Sequence, residues 1–291
     1  MRASILLLNK SFWKSPLNII FTFVVPSFFI CAACLSWNLF GGTISPVLMF
    51  PTVSYISIVF IGLIIIPTVI FEYRKANILR RIEDSGNKKI AFIWAMSIFF
   101  TILFFMTYFF NCLIGTLSMF NNEQIQIMWQ TANYGTLIYS LVVTILLCSV
   151  IGITVGLHAK SLVFIQVFGI SFILISAFLG FWIIPPTLIS AEPSYNKVLF
   201  ISYVWPLRYI SHLFMQSWLQ TYSFNSWHAS IFDFTHPYSS ALWVQYPGFT
   251  TGFWNIVSVS NKIADIFCPI AFVFLLGGVN VLMNWRQKNK E

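Results

Sequence analysis

The sequence predicts an all-α polytopic membrane protein with six transmembrane helices, and three observations support this prediction. Hydrophobic residues make up 58% of the 291 residues and charged residues only 8%, whereas an ordinary soluble domain has about 25% charged residues. Six long segments contain no charged residue at all. Basic residues are concentrated in alternate connections between these segments. A soluble enzyme, a disordered chain and a small disulfide-rich scaffold are therefore excluded.

Each predicted span is close to the ~20 helical residues that a bilayer core requires. The spans are about 17–40, 50–71, 90–117, 134–157, 162–184 and 266–284. Every backbone amide in hydrocarbon must find its partner within the structure, so these runs are expected to be helices. They make the whole chain, 1–291, a single transmembrane domain. A cleaved signal peptide is the alternative for the first run, but this run continues well past the cleavage-like residues 32–34.

The distribution of basic residues places both chain termini in the cytoplasm. Thirteen basic residues lie in 1–16, 72–89, 158–161 and 285–291, and only three lie in the other connections. Cytoplasmic connections are enriched in Lys and Arg in this way. The net charge of +8 is thus mainly a topology signal, and we expect no nucleic-acid partner because the charges are spread over membrane flanks.

The N-terminal stretch predicts an amphipathic helix on the inner membrane surface. Apolar and basic side chains are interleaved there: Arg2, Ile5, Leu6, Leu7, Leu8, Lys10, Phe12, Trp13 and Lys14. Such a helix is held by burial of its apolar face and by attraction to anionic lipid. Membrane lipid is therefore an expected partner.

The link 72–89 between the second and third spans combines many charges with a small apolar face. Ile78, Leu79 and Ile82 fall at helical spacing, and the Ser-Gly-Asn sequence at 85–87 provides a stop. The pattern favours a short amphipathic helix that is continuous with the second span. A solvated basic loop, retained only for its charge, fits the sequence equally well.

The outer segment 185–265 begins with an interrupted apolar stretch. A spanning helix over 198–215 would place Arg208 near the middle of the bilayer, at a cost of about 3 kcal/mol or more. It would also move the basic C-terminus to the outside. We therefore expect a re-entrant element that is broken at Pro206, because irregular backbone is tolerated beside protein or a water-filled cavity. The remainder, 218–261, is polar and aromatic, which is typical of an external cap or interfacial loop.

Three local patterns resemble those of the membrane (permease) subunits of type-2 ATP-binding-cassette (ABC) exporters. They are Ser15-Pro16 through Val25-Pro26 at the first span; Glu72, Arg74 and Lys75 followed by Ile78, Leu79, Arg80, Arg81 and Ile82 in the link; and Gly180-Phe181 through Pro185-Pro186, then Trp205-Pro206-Leu207 and Tyr209, after the fifth span. Their order along a six-span plan with both termini inside matches that family over almost the whole chain.

The resemblance implies a transport subunit and not an enzyme. The chain has no phosphate-binding loop, so we expect no cofactor in this chain, and ATP and Mg²⁺ would be bound by a separate cytosolic ABC ATPase. A second permease subunit, identical or related, is the other implied partner. The expected location is the cytoplasmic membrane, and the Phe-, Ile- and Asn-rich composition is typical of an AT-rich bacterial genome.

The resemblance also implies two sets of site residues. Coupling to the ATPase is expected at Glu72, Arg74, Ile78, Leu79, Arg80, Arg81, Ile82 and Glu83. The re-entrant element, with possible substrate contact, is expected at Pro206, Arg208, Tyr209 and His212. Arg208 and His212 are four residues apart on this element and are suited to an anionic substrate or lipid headgroup. Backbone carbonyls, or snorkelling to the interface, would satisfy them equally well.

Two other functions compete with transport. A membrane-embedded enzyme is suggested by His228, Asp233 and His236 in the outer segment, but their spacing fits no zinc motif, and we expect no metal site and no catalytic residue. A lipid-handling or structural membrane protein is the third possibility. The spans lack paired carboxylates and a Ser/His/Asp arrangement, so proton-coupled transport and hydrolysis lack their usual groups.

Overall fold

The structure is a computed structural model that describes residues 2–39, 50–78, 89–118, 123–179, 204–218 and 265–279. These residues form helices joined by short turns and contain no strand. The helices are α1 (Arg2–Lys14), α2 (16–39), α3 (Phe50–Ser54), α4 (Ile56–Lys75), α5 (Lys89–Ser118), α6 (Glu123–Thr131), α7 (Tyr134–His158), α8 (Leu162–Leu179), α9 (Pro206–Trp218) and α10 (Asp265–Val279).

The predicted all-helical class is confirmed for the described residues, and four or five of their helices are candidate membrane spans. Helices α4, α5, α7 and α8 are each long and apolar enough to cross a membrane, and α1 with α2 adds a fifth span if the bent pair is counted as one. The described part of α10 is apolar but shorter. Six spans, and the side on which each terminus lies, stay predictions.

Exposed apolar side chains cover the outside of the bundle. On α5 they recur every three or four residues, at Ile102, Met106, Phe109, Leu113 and Leu117, and on α8 they include Val163, Phe164, Val167, Ile170, Leu174 and Phe178. A soluble monomer rarely exposes apolar patches of this extent. Together with the long apolar helices, these faces indicate a membrane-embedded protein.

Helix α4 is the buried centre of the bundle, and glycines bring its neighbours close to it. A Cβ atom at Gly152 of α7 would lie 2.0 Å from the carbonyl oxygen of Gly62, and one at Gly156 would lie 2.9 Å from the Cα of Pro67. A Cβ atom at Gly169 of α8 would come within 2.8 Å of the α4 backbone. Only small residues allow backbones to approach so closely. Helices α4, α7 and α8 therefore form one tightly packed unit.

Helices α2 and α4 each contain one π-helical turn, at Ile20–Val24 and Ile61–Ile65. Each turn ends two residues before a proline, Pro26 in α2 and Pro67 in α4. Because proline has no N–H group, the carbonyl four residues earlier loses its helical partner. The wider π turn allows the helix to continue although this hydrogen bond is missing. The two turns contact each other inside the bundle.

The bundle has two ends, which we name after a residue at each. The Arg74 end contains α1, the last turns of α4 and α7, and the first turns of α5 and α8. The Arg208 end contains α3, α6 and α9, the first turns of α4, α7 and α10, and the last turns of α5 and α8. If the predicted orientation is correct, the Arg74 end faces the cytoplasm.

Helix α1 lies across the Arg74 end. The chain turns by 89° between α1 and α2, at Ser15. Phe12 is buried, with its ring centroid 5.8 Å from that of Phe99 in α5, whereas Leu6 and Trp13 are exposed. A helix perpendicular to a span, with an exposed apolar face, has the geometry expected for the membrane surface.

The second predicted span continues further than its apolar run. Helix α4 extends past residue 71 to Lys75, where Ala76 and Asn77 form a turn. Asn77 has a φ of 52°, the left-handed conformation in which Asn commonly terminates a helix. The expectation of an unbroken helix from the second span into the link is therefore wrong at Asn77. Residues 79–88 lie outside the described part of the chain.

Candidate functional site

Helix α9 is a short helix enclosed within the Arg208 end. It begins at Pro206, whose fixed φ suits the first turn of a helix. The buried side chains are Leu207, Arg208, Tyr209, Ile210, Ser211, His212, Leu213, Phe214, Ser217 and Trp218. The helix packs against α3, α6, α7 and α8. An isolated helix of this length is only marginally stable in water, so packing against the bundle, and not intrinsic helix propensity, stabilises α9.

Side-chain hydrogen bonds and ring contacts fasten α9 to α4 and α5. The Tyr55 Oη and Ser211 Oγ atoms are 2.5 Å apart, and the Tyr55 ring stacks on Phe214 at a centroid distance of 4.7 Å. Trp218 Nε1 donates a hydrogen bond to Tyr108 Oη over 3.2 Å. Buried Tyr and Trp side chains normally pair their polar atoms in this way.

Two further bonds tie α9 and its N-terminal flank to α7 and α8. The backbone N–H of Asn133 donates to the carbonyl of Ser217 over 2.7 Å, while the Asn133 side chain accepts from the N–H of Thr136 and caps α7. Trp205 Nε1 donates to Ser176 Oγ of α8 over 2.9 Å. Contacts with α4, α5, α7 and α8 therefore fix the position of α9.

A charged cluster lies between α9 and α10. Arg208 and Asp265 are each 1% exposed, and His212 Nδ1 is 3.4 Å from Asp265 Oδ2. Tyr139 Oη of α7 donates to the carbonyl of Ile266 over 2.8 Å, which holds the start of α10 in place. Burying a charge is costly unless an opposite charge or hydrogen bonds compensate it. The cluster thus connects α9, α7 and α10 through polar groups inside an apolar bundle.

The four residues predicted for the re-entrant element come together in α9. Pro206 starts the helix, and Arg208, Tyr209 and His212 point into the bundle end, where they are buried. His212 has a partner within the protein, Asp265. An Arg and a His on one helix face can bind an anionic group, and in this structure the His212 ring lies against the carboxylate of Asp265.

Asp265 was not predicted from the sequence. This residue stands directly before the last predicted span, 266–284, and is the first residue of α10. An acidic residue adjoining an apolar run was the available signal, since such a group needs a partner in a low-dielectric environment. Its partner is 53 positions earlier in the chain, too far for any periodicity argument to connect them.

At the opposite end, Arg74 is bound within the protein. Its guanidinium donates hydrogen bonds to the carbonyls of Leu157 and Ala159 and lies 5.4 Å from the centroid of the Phe71 ring. The last carbonyls of a helix lack helical partners and carry partial negative charge, so an Arg is well suited to them. Arg74 therefore caps α7 from the side of α4.

The other predicted coupling residues are only partly described. Glu72 and Lys75 are exposed, and Ile78 is half-buried against the apolar core. Leu79, Arg80, Arg81, Ile82 and Glu83 lie outside the described residues, as do His228, Asp233 and His236. Among the residues that the structure does describe, no cluster of three or more His, Cys, Asp or Glu side chains could hold a metal ion.

No protein-family model matches the chain, and neither a curated protein nor a solved structure is significantly similar to it. The likeness to type-2 ABC exporter subunits therefore rests on the sequence patterns alone.

Proposed function

We propose that the chain is the permease subunit of an ATP-driven ABC export system in a bacterial cytoplasmic membrane. It would pair with a second, identical or related permease subunit around a central pathway. A separate cytosolic ATPase would bind ATP and Mg²⁺ and dock on the link 72–89. This chain itself would perform no enzymatic step.

The path of α4 is the observation that most supports this proposal. The helix extends through the buried centre of the bundle, from Ile56, which follows the N-cap residue Tyr55 at the Arg208 end, to Lys75 at the Arg74 end. It is bonded at its first end to Ser211 of α9 and leads at its last end into the predicted coupling link. A displacement of the link would therefore reach α9 through one packed helix, because close-packed interiors transmit displacement.

The proposed mechanism follows from this geometry. Closure of two ATPase subunits upon ATP binding would move the link 72–89 that each of them grips. Motion of the link would tilt α4 together with the glycine-packed helices α7 and α8. The same tilt would pull on α9 and on the charged cluster with Asp265, which would change access to the transport pathway at the Arg208 end.

The proposal is tested by reversing charge in the link. We would co-express the tagged chain with the ABC-type ATPase encoded nearest to its gene and measure ATPase retention after membrane extraction. R80E together with R81E is expected to reduce retention at least about tenfold, equivalent to ~1.4 kcal/mol, or to uncouple ATP hydrolysis from transport. R286E with K288E changes charge equally at the C-terminus and serves as the control. Unchanged retention and unchanged coupling in the R80E/R81E variant would contradict the proposal.

A further inference from the structure

Three fully buried polar side chains lie on the helices α2, α4 and α5. Thr22, Ser57 and Asn111 are each 0% exposed. Among the residues that the structure describes, Thr22 Oγ1, Ser57 Oγ and Asn111 Nδ2 have no hydrogen-bond partner. Native proteins rarely leave buried polar atoms unpaired, because their lost hydration is then not compensated. We therefore expect a partner other than the described side chains.

Two contacts place Thr22 and Asn111 at the interface of α2 and α5. Ser27 Oγ of α2 donates a hydrogen bond to Asn111 Oδ1 over 3.1 Å. Phe23 and Phe110, the chain neighbours of Thr22 and Asn111, have ring centroids 5.5 Å apart. The amide oxygen of Asn111 is thus paired within the protein, and its amide nitrogen is the atom that needs an acceptor.

Ser57 reaches the same junction from α4. Residues 56–60 contact both α5 and the π turn of α2, and all five of them are buried. Ser57 is the polar residue in this otherwise apolar segment, Ile-Ser-Ile-Val-Phe. An alanine at this position would be buried without leaving a hydroxyl unpaired. The serine therefore introduces a hydrogen-bonding group at the point where the three helices meet.

The junction also contains a backbone carbonyl that lacks its helical donor. Pro26 has no N–H group, so the carbonyl of Thr22, four residues earlier, loses its usual partner. Thr22 itself lies within the π turn, where the helix is wider than an α-helix. In membrane helices, ordered water is one of the groups that satisfy a carbonyl released by proline. The hydroxyl and the carbonyl of Thr22 therefore offer two acceptors at one position.

The unpaired atoms fit a water molecule better than an ion. An amide nitrogen only donates hydrogen bonds, whereas a hydroxyl both donates and accepts. Water can serve both kinds of group, and a buried water typically makes about three hydrogen bonds. An ion would need an opposite charge beside it, and the segments 16–39, 56–71 and 90–118 contain no charged residue.

We propose that the junction of α2, α4 and α5 is a binding site for a structural water molecule. The water accepts a hydrogen bond from Asn111 Nδ2 and donates to the hydroxyl oxygens of Thr22 and Ser57. It links three of the helices through polar contacts beside the proline break of α2. The inference goes beyond the proposed transport function and does not depend on it.

The site is tested by removing single hydroxyl groups. T22V and S57A are each expected to lower the melting temperature of the purified protein in detergent by about 2–4 °C, because each removes a partner of the water. T144V is the control, since it removes a buried hydroxyl that donates to the carbonyl of Ser140 in its own helix. Its melting temperature should be nearly unchanged, because the Ser140 carbonyl keeps its helical bond.

The direction of the shift is decisive. A melting temperature of T22V or S57A at or above that of the parent chain overturns the site, because removal of a truly unpaired hydroxyl relieves its desolvation cost. An equal fall in T144V also overturns it, because loss of any buried hydroxyl then explains the result. The T22V/S57A variant should lose less than the sum of the two single shifts, since the same water is released once. Strictly additive shifts would show that the hydroxyls share no partner and would likewise overturn the site.

A density map that resolves ordered water separates the bound water from a direct bond between side chains. We expect density for a water within about 3.2 Å of at least two of the three atoms in the parent chain, and its loss in S57A. A map that shows no water at the junction overturns the proposal. A direct hydrogen bond between two of the three side chains overturns it as well.

Discussion

The hydroxyl of Tyr55 lies 2.5 Å from the hydroxyl of Ser211, so the N-cap residue of α4 is bonded directly to the middle of α9. Ser211 also donates to the carbonyl of Leu207 one turn earlier, over 3.1 Å, and the Tyr55 ring stacks on Phe214. This junction combines a polar and an aromatic contact at one point. It joins the buried α9 to the helix that leads toward the predicted coupling link.

Removing the Tyr55 hydroxyl alone is expected to have a modest effect. In the Y55F variant Ser211 keeps its bond to Leu207, so the expected loss in unfolding free energy is about 1 kcal/mol. Y55A also removes the stacked ring and should cost about 3–5 kcal/mol. Denaturant unfolding of the purified protein in detergent measures both losses. An equal loss in the two variants would show that the ring contact with Phe214 contributes nothing.

A methyl group at Gly152 is expected to destabilise the bundle. The added Cβ would lie 2.0 Å from the carbonyl oxygen of Gly62, and a backbone atom cannot rotate away. The expected cost of G152A is ~3 kcal/mol, at the upper end of the range for overpacking. G278A is the matched control, because nothing lies within 4 Å of the added methyl group and alanine favours the helix. A melting temperature for G152A at or above that of G278A would contradict the packing described for α4 and α7.

The contact between His212 and Asp265 is expected to appear as an energetic coupling. D265N removes the buried carboxylate that faces His212 and should cost about 3 kcal/mol. A double-mutant cycle with H212Q should give an interaction energy of about 0.5–3 kcal/mol. Unfolding of D265N, H212Q and the combined variant under identical conditions supplies the cycle. Strict additivity of the two single losses would show that the side chains do not interact.

The orientation predicted from basic residues can be tested with single cysteines at the two ends. Lys75 and Gln130 are both exposed, the first at the Arg74 end and the second on α6 at the Arg208 end. In a cysteine-free background, Q130C should react with an impermeant maleimide on intact cells, whereas K75C should react only after the membrane is opened. The reverse pattern would invert the topology and place the coupling link outside the cell.

Long apolar helices were predictable from the sequence, because the length and apolarity of a segment indicate them directly. The fourth predicted span, 134–157, and helix α7 differ by one residue. The end of the second span was less predictable. The pattern favoured a helix that is continuous from the second span into the link, whereas α4 ends at Lys75 and Asn77 adopts the left-handed conformation. Hydropathy carries no information about that turn.

The candidate site was predictable in part. Helical spacing correctly put Arg208 and His212 on one element that starts at Pro206. It did not identify the carboxylate at Asp265 or the hydroxyl of Tyr55, since both lie far away along the chain. Contacts of this kind depend on how helices pack in three dimensions, and the choice between an internal partner and a bound substrate was left open for the same reason.

The π turns at Ile20–Val24 and Ile61–Ile65 also limit what a helical wheel can show. Each turn holds one residue more than a regular turn, so every later side chain points about 100° away from the direction that an uninterrupted α-helix would give it. Each of these helices therefore needs one helical wheel for the residues before its π turn and another, rotated by that angle, for the residues after it. Deleting a single residue from 20–24 would therefore rotate the exposed Phe28 by about 100°, away from the surface of the bundle and toward a neighbouring helix.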